Sequence, residues 1–187
     1  MSNSFALTGM NVSTTDRSLA GKIPKLETVW EEHSRTVYTL CLRLVGDPDA
    51  AEDVTVEVFS HFSRELPRLT NERRIPVRLR ELAIEKSVGW LEKHHRLREG
   101  EPDEPSPVTR LSGRAPLPGP VEMDEFVIGL PAHLRVALVL RDVEDLSDSE
   151  VAVALQTDVE DVRRRLNRAR LELRERIVSS SGSKGDS

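Results

Sequence analysis

The chain has 187 residues, of which 32% are charged and 37% are hydrophobic, and its formal net charge is −5. This length suits one large or two small domains, and a single cysteine excludes a disulfide framework and a cysteine-based zinc site. The sequence also lacks an apolar run of the roughly 20 residues that a membrane span needs, and it lacks the pattern of a signal peptide, so we expect a cytoplasmic protein.

The first half of the chain predicts a flexible start and two helices. Residues 1–24 show no sustained hydrophobic period and are predicted to be an extension. Residues 25–45 carry apolar side chains at helical spacing, and Gly46 ends that pattern. Asp47 followed by Pro48 predicts an N-cap and a first helical position, and the second helix continues until Pro67 breaks it.

A third helix and an acidic segment follow. The helix is predicted from about Pro76 to Leu97, within residues 71–98, which carry eight basic and four acidic side chains, a balance of +4. Trp90 lies on its apolar side, where packing in the core is more common than stacking on a base. Residues 99–129 hold six prolines, two basic and seven acidic side chains, a balance of −5, and residues 99–121 are predicted to be a linker.

The C-terminal third predicts a helix-turn-helix. Ser147 with Glu150 three residues later forms a capping box at the start of a short helix. A break of about three polar residues follows, and Asp158 can cap the next helix. Two helices joined by so short a turn are typical of a unit that binds DNA.

The second helix of this unit carries its basic side chains away from its apolar stripe. Apolar residues recur at steps of three and four from Val162 to Ile177. Residues 163–176 contain seven arginines against two glutamates, a balance of +5. Guanidinium groups suit phosphates and guanine edges, and a carboxylate can accept a hydrogen bond from cytosine. A solvated helix face is the alternative. The candidate DNA contacts are Arg163, Arg164, Arg165, Asn167, Arg168, Arg170 and Glu160.

Two segments resemble extracytoplasmic-function sigma factors of the sigma-70 family. Residues 130–177 resemble the promoter-binding region four, through Leu130-Pro131, VLRDVEDLS at 139–147, EVAVAL at 150–155 and RLNRARLELR at 165–174. Residues 37–59, including DAAEDV at 49–54, resemble region two, the polymerase-binding module. The resemblance implies an all-α fold of two small helical domains. The implied boundaries are a region 2-like domain over residues 25–98, the linker over 99–121, a region 4-like helix-turn-helix domain over 122–178 and a disordered tail over 179–187.

The resemblance implies two further sets of binding residues. Region two of the family contacts the clamp helices of core RNA polymerase, and its later part holds the minus-ten element, while region four binds the minus-35 element. The implied polymerase contacts are Glu52, Asp53, Val56, Glu57, Val58 and Phe59. The implied minus-ten contacts are Arg78, Arg80, Lys86, Trp90, Lys93, His94 and Arg96.

The expected function is therefore that of a sigma factor, with core polymerase, promoter DNA and an anti-sigma factor as partners. Two alternatives stay open. One is a helix-turn-helix regulator that does not use polymerase, and the other is a sigma-like protein that binds polymerase without melting promoters, because Glu81, Glu85 and Glu92 dilute the basic field of the third helix. The acidic linker is either a plain tether or a segment that enters the polymerase cleft. We expect no enzyme, metal or cofactor, since no phosphate-binding loop or metal-ligand spacing occurs.

Overall fold

A computed structural model describes residues 24–94 and 121–183. Within these ranges the chain forms α-helices and short helical turns and no strand, which confirms the expected all-α fold. Three helices precede the undescribed segment and four follow it. They are α1 (Leu26–Val45), α2 (Pro48–Glu65), α3 (Ile75–Lys93), α4 (Val121–Ile128), α5 (Ala132–Leu138), α6 (Asp148–Ala154) and α7 (Val159–Ser183).

The first three helices pack against one another and bury an aliphatic and aromatic core. Gly46 ends α1 with a left-handed φ of 75°, and its N–H donates to the Leu42 carbonyl at 2.8 Å. The Asp47 side chain accepts a hydrogen bond from the Ala50 N–H at 2.9 Å at the start of α2, with Pro48 in the first position, as the sequence predicted. Phe62 is fully buried, and burial of such a side chain contributes about 1.5–3 kcal/mol.

The last four helices form a second cluster that is packed against α1. α5 runs into a π-helical turn at Val139–Val143, and α7 packs on both α5 and α6. Arg43 of α1 binds the Asp124 carboxylate of α4, with its Nε at 2.8 Å from Oδ1 and its Nη2 at 3.1 Å from Oδ2. The buried side chains of both clusters form one continuous core. The division into two domains at the predicted boundaries stays a prediction.

The helix ends differ from the predicted ones at two places. The third helix begins at Ile75 and ends at Lys93, and the predicted continuation to Leu97 lies outside the described residues. α7 continues to Ser183, so the prediction of a disordered tail from residue 179 is wrong for its first five residues. The apolar spacing of α7 continues to Leu173 and Ile177, and no proline interrupts the residues that follow, so the helix extends past the predicted end.

Two predicted segments fall mostly outside the described ranges: the N-terminal extension over residues 1–24 and the linker over 99–121. α4 starts at the last residue of that predicted linker and was not predicted. Among the described helices, none combines the length and hydropathy that crossing a bilayer requires.

Candidate functional site

The helix-turn-helix is formed by α6, the turn at residues 155–158 and α7. The Ser147 hydroxyl accepts from the Glu150 N–H at 3.3 Å, and the Ser147 N–H donates to the Glu150 carboxylate at 2.8 Å, which confirms the predicted capping box. The Asp158 carboxylate accepts from the Asp161 N–H at 2.7 Å and begins α7. Val151 and Val162 are fully buried and join the two helices. Local capping and a shared core therefore fix the angle at which α7 leaves the turn.

The face of α7 opposite its buried stripe carries the predicted DNA contacts. Val162, Leu166 and Ala169 are buried, as their spacing predicted. The side chains of Arg163 and Arg164 are 61% and 62% exposed. The remaining exposed candidates of this face are Glu160, Asn167, Arg168 and Arg170.

Arg165 differs from the other arginines of α7. Its side chain is only 18% exposed, and its Nε lies 2.6 Å from the Asp161 carboxylate, which itself is 12% exposed. Asp161 also accepts from the Thr157 hydroxyl at 2.9 Å. In this structure Arg165 stabilises the turn into α7 through this ion pair. Its contact with DNA stays a prediction.

Two exposed arginines of α7 are held by carboxylates from elsewhere in the helix-turn-helix module, which comprises α4 to α7. Arg163 donates to Asp148 at 3.2 Å, and Arg170 donates to Asp142 at 2.8 Å. Hydrogen bonding from Arg163, more than that from Arg141, lowers the pKa of the Asp148 carboxyl. The hydrogen bond to Asp142 raises the pKa of Arg170. These exposed pairs contribute little to stability, but they orient the guanidinium groups before DNA arrives.

Two other arginines of α7 pair along the helix itself. Arg164 donates to Asp161 one turn earlier, and Arg168 donates to Glu172 at 3.2 Å one turn later. Both arginine side chains remain more than half exposed, so these pairs leave their guanidinium groups accessible to a ligand. The face of α7 is thus open and basic, and neighbouring acids place four of its guanidinium groups, those of Arg163, Arg164, Arg168 and Arg170.

On α3, the first of the predicted minus-ten contacts serves a structural role. Arg78 donates to both oxygens of Glu65 at 2.7 Å and to Glu81 at 3.0 Å, which ties α2 to α3. Hydrogen bonding from Arg78 lowers the pKa of the Glu65 carboxyl to about 2. In this structure two carboxylates take up the donors of Arg78, and its contact with DNA stays a prediction.

The other minus-ten candidates line or adjoin a groove between α3 and the helix-turn-helix. The groove has a volume of about 750 Å³, and Lys86, Trp90 and Lys93 line it from α3. The Lys86 ammonium lies 3.0 Å from Glu85 and 3.7 Å from Glu57. The groove is lined on its opposite side by Leu146, Ala154 and Gln156.

Trp90 is half-buried, as part of the apolar side of α3, and its indole stacks on His94 with ring centroids 4.0 Å apart. The His94 Nδ1 lies 2.7 Å from the Trp90 carbonyl, and both His94 and Lys93 are exposed. Arg80 is bound by Glu144 of the helix-turn-helix module, through both the carboxylate and the backbone carbonyl of that residue. Arg96 lies outside the described residues.

Some of the predicted polymerase contacts on α2 are exposed and others are buried. Glu52, Asp53 and Glu57 are exposed, and Val56 is 59% exposed. The prediction is corrected for two further residues, because their side chains are buried inside the protein and a partner cannot reach them. They are Val58, at 0% exposure, and Phe59, at 3%.

Trp30 belongs to the apolar pattern of residues 25–45 that predicted the first helix, but the structure leaves it 42% exposed. Its ring meets the edge of Phe59 at a centroid distance of 4.6 Å and an interplanar angle of 62°. Trp30 therefore covers the buried Phe59 from outside. An amphipathic pattern alone does not distinguish a side chain at the edge of a core from one inside it.

Arg135 was also missed, and it is the most extensively bonded charged residue described. It is 4% exposed. Its Nη1 donates to the carbonyls of Ile128 at 2.9 Å and Leu130 at 2.8 Å. Its Nε donates to Leu44 at 3.2 Å and its Nη2 to Val45 at 2.8 Å. A cation at the C-terminal carbonyls of α1 also interacts favourably with the helix dipole. The only sequence signal is a lone arginine inside the apolar run at 132–140.

Three comparisons with known proteins bear on these surfaces. Residues 121–173 match the family described as Sigma-70, region 4. The chain is 25% identical over 174 residues to the ECF RNA polymerase sigma factor SigE of Mycolicibacterium smegmatis. That alignment covers 88% of this chain and 66% of the relative, so the chain spans slightly less than two thirds of that protein's length.

The fold is similar to that of the sigma factor RpoE from Bartonella quintana, solved in complex with the anti-sigma factor NepR. The TM-score is 0.51 and the sequence identity 16%, and the match covers 86% of this chain and 98% of that one. At this identity the likeness concerns the fold. It extends over both groups of helices, while the sequence match to region 4 begins with α4 and ends within α7.

Proposed function

We propose that this chain is an extracytoplasmic-function sigma factor of the sigma-70 family, which binds core RNA polymerase and directs transcription initiation at specific promoters. The observation that carries the proposal is the exposed arginine face of α7 inside a helix-turn-helix that matches region 4. Core RNA polymerase and promoter DNA are both found in the bacterial cytoplasm, where we expect the protein to act. Its role is binding and positioning, and no catalytic step is assigned to its own residues.

The proposed minus-35 contact uses the first turns of α7. A recognition helix presents its N-terminal residues to base edges in the major groove. Arg163, Arg164 and Asn167 lie on the exposed face of these turns and are the proposed base contacts. Arg168 and Arg170 follow on the same side and are the proposed phosphate contacts. Glu160 is exposed and could only accept hydrogen bonds, which suits cytosine.

The proposed polymerase contact lies on α2 and the start of α1. Val56 and Trp30 give an exposed apolar centre, and Glu52, Asp53 and Glu57 surround it with negative charge. Interfaces of this kind combine an apolar core with complementary charges, and aromatic side chains contribute more than most. The surface therefore fits a basic helical partner face, such as the clamp helices that the family binds.

The proposed minus-ten contact involves the groove side of α3. Lys86, Trp90, Lys93 and His94 supply cations and ring faces, the two features that single-stranded DNA needs. Arg80 lies on the same helix and is covered by Glu144 in the present conformation. Arg96, which lies outside the described residues, remains a predicted minus-ten contact. An anti-sigma factor is proposed as a further partner, since the structurally similar RpoE was solved with one.

The test is transcription from sheared genomic DNA by core polymerase of the source organism, with and without the protein, followed by sequencing of RNA 5′ ends. We expect new start sites that share one minus-35 and one minus-ten sequence. The matched control is the variant Arg163→Ala/Arg164→Ala, which should bind core polymerase but lose these starts. Binding to core polymerase without any new start would refute promoter direction and favour a sigma-like protein that only occupies polymerase.

A further inference from the structure

The helix-turn-helix module contacts α3 at the point where α3 carries Arg80. The Arg80 guanidinium donates through Nε to the Glu144 carboxylate and through Nη2 to the Glu144 backbone carbonyl. The Glu144 side chain is 15% exposed, so this carboxylate is largely removed from water. Hydrogen bonds from Ser147 are the main reason that the pKa of the Glu150 carboxyl is lowered, and the charge of Arg80 lowers it further. Glu150 of α6 therefore also lies near Arg80. Arg80 thus faces two acids of the other module.

Two unusual backbone positions of the helix-turn-helix lie at this contact. Asp145 has a φ of 55° and Gln156 a φ of 50°, a left-handed conformation that residues other than glycine rarely adopt. Asp145 directly follows Glu144, and Gln156 donates its side-chain amide to Glu92 of α3 at 3.2 Å. Each of the two turns that contact α3 therefore contains one residue in this uncommon backbone conformation.

The chemistry of the Glu144 contact is that of a DNA phosphate. A planar guanidinium pairs with a carboxylate or with a phosphate through the same donors. While Glu144 occupies Arg80, a phosphate can bind there only by displacing it. The rest of this face of α3 binds DNA less favourably, because the carboxylates of Glu81, Glu85 and Glu92 are exposed there.

Two contacts away from α3 also hold the helix-turn-helix module against the first three helices. Arg43 of α1 binds Asp124 of α4 at 2.8 Å. Arg135 of α5 donates to the last carbonyls of α1, and a Cβ added at Gly46 would lie 2.5 Å from the Arg135 guanidinium carbon. The approach of the second module to α1 is thus close-packed, so the Glu144 contact belongs to a defined closed arrangement.

We propose that the helix-turn-helix module is an internal competitor for nucleic acid on α3, with Glu144 bound to Arg80 where a phosphate of the minus-ten strand would bind. The chain must then open before α3 can hold DNA. That the competing strand is promoter DNA rests on the proposed function, whereas the contact between Glu144 and Arg80 does not.

The first measurement of the test is the distance between the two modules, by double electron–electron resonance. Spin labels are attached at Ser60→Cys on α2 and Val153→Cys on α6, two exposed positions, in a chain with the buried Cys41 replaced by alanine. We expect Glu144→Gln to lengthen and broaden the distance distribution. The matched control is Glu175→Gln, which removes the same charge from an exposed position on α7.

The second measurement is binding of a fluorescently labelled, mixed-sequence single-stranded DNA of about 25 nucleotides to the full chain. Because closure lowers the fraction of molecules able to bind, Glu144→Gln should tighten binding by about fivefold or more relative to Glu175→Gln. Asp124→Asn, which breaks a different contact of the closed arrangement and leaves Arg80 and Glu144 intact, should act in the same direction.

The outcomes separate the inference from the proposed function. Unchanged distances in both Glu144→Gln and Asp124→Asn would overturn the closed contact, whatever the transcription assay gives. Longer distances with DNA binding equal to that of Glu175→Gln would overturn the competition. Longer distances with tighter DNA binding support the inference even if no promoter starts are found, in which case only the proposed function fails.

Discussion

The contact between Arg135 and the end of α1 predicts a large loss of stability when the guanidinium is removed. In Arg135→Met the side chain keeps much of its volume, but the carbonyls of Leu44, Val45, Ile128 and Leu130 lose their donor. Each carbonyl left buried without a donor costs about 1–3 kcal/mol. Part of this cost is offset because a charged group no longer has to be kept out of water.

The net result should be a decrease in the free energy of unfolding of about 3 kcal/mol, the lower end of the range for breaking a buried charged contact. For a chain of this size, that corresponds to a melting temperature lower by about 6–12 °C. A loss of 3 kcal/mol is a large share of the roughly 5–15 kcal/mol that stabilises a typical domain. The variant should therefore fold but unfold at a clearly lower urea concentration.

The assay is urea unfolding followed by circular dichroism at 222 nm. Arg174→Met serves as the control, because Arg174 is an exposed arginine on α7 and such substitutions change stability by about 0.5 kcal/mol or less. The slope of free energy against urea must stay the same in all proteins for the comparison to hold. A decrease below about 1 kcal/mol for Arg135→Met would refute the view that Arg135 caps α1 from the second module.

Three further predictions concern the proposed surfaces. Arg163→Ala/Arg164→Ala should weaken binding to the minus-35 element at least about 30-fold and leave binding to core polymerase unchanged; equal loss of both would contradict it. Trp30→Ala should weaken core polymerase binding about tenfold without lowering the melting temperature of the chain by more than a few degrees, as measured by titration and thermal unfolding. The Glu65 carboxyl, whose pKa Arg78 lowers to about 2, should stabilise the fold by about 0.5–1 kcal/mol above its unfolded pKa of about 4.3 and lose that contribution as pH falls towards 2; a stability difference between Glu65→Gln and the parent that does not change with pH would contradict this.

The features that could be predicted from the sequence are those made by residues close together in the chain. The cap at Asp47, the capping box at Ser147 and the cap at Asp158 each join residues three positions apart. A turn of helix brings such residues together in any fold, so the sequence alone specifies the contact. The helix-turn-helix followed from these caps and from the stripe that begins at Val162.

The features that escaped prediction depend on which helix faces which. Trp30 and Phe59 both follow an apolar stripe, but only the packing of α1 on α2 decides that Phe59 is covered and Trp30 covers it. Arg80 and Glu144 are 64 positions apart, and Arg135 and Leu44 are 91 apart. No periodicity connects positions so distant, so a sequence pattern cannot pair them.

The arginines of this chain show why counting basic residues overestimates a DNA surface. Arg135 is buried on carbonyls, Arg78 joins two helices, and Arg165 secures a turn, so each stabilises the protein through the same donors that would bind a phosphate. Four exposed arginines of α7 also begin from an ion pair, as Arg163 does with Asp148. DNA binding therefore exchanges one anion for another at these positions. Such an exchange adds less affinity than a new contact would, but it favours DNA whose phosphates and bases fit guanidinium groups that the acids have already oriented.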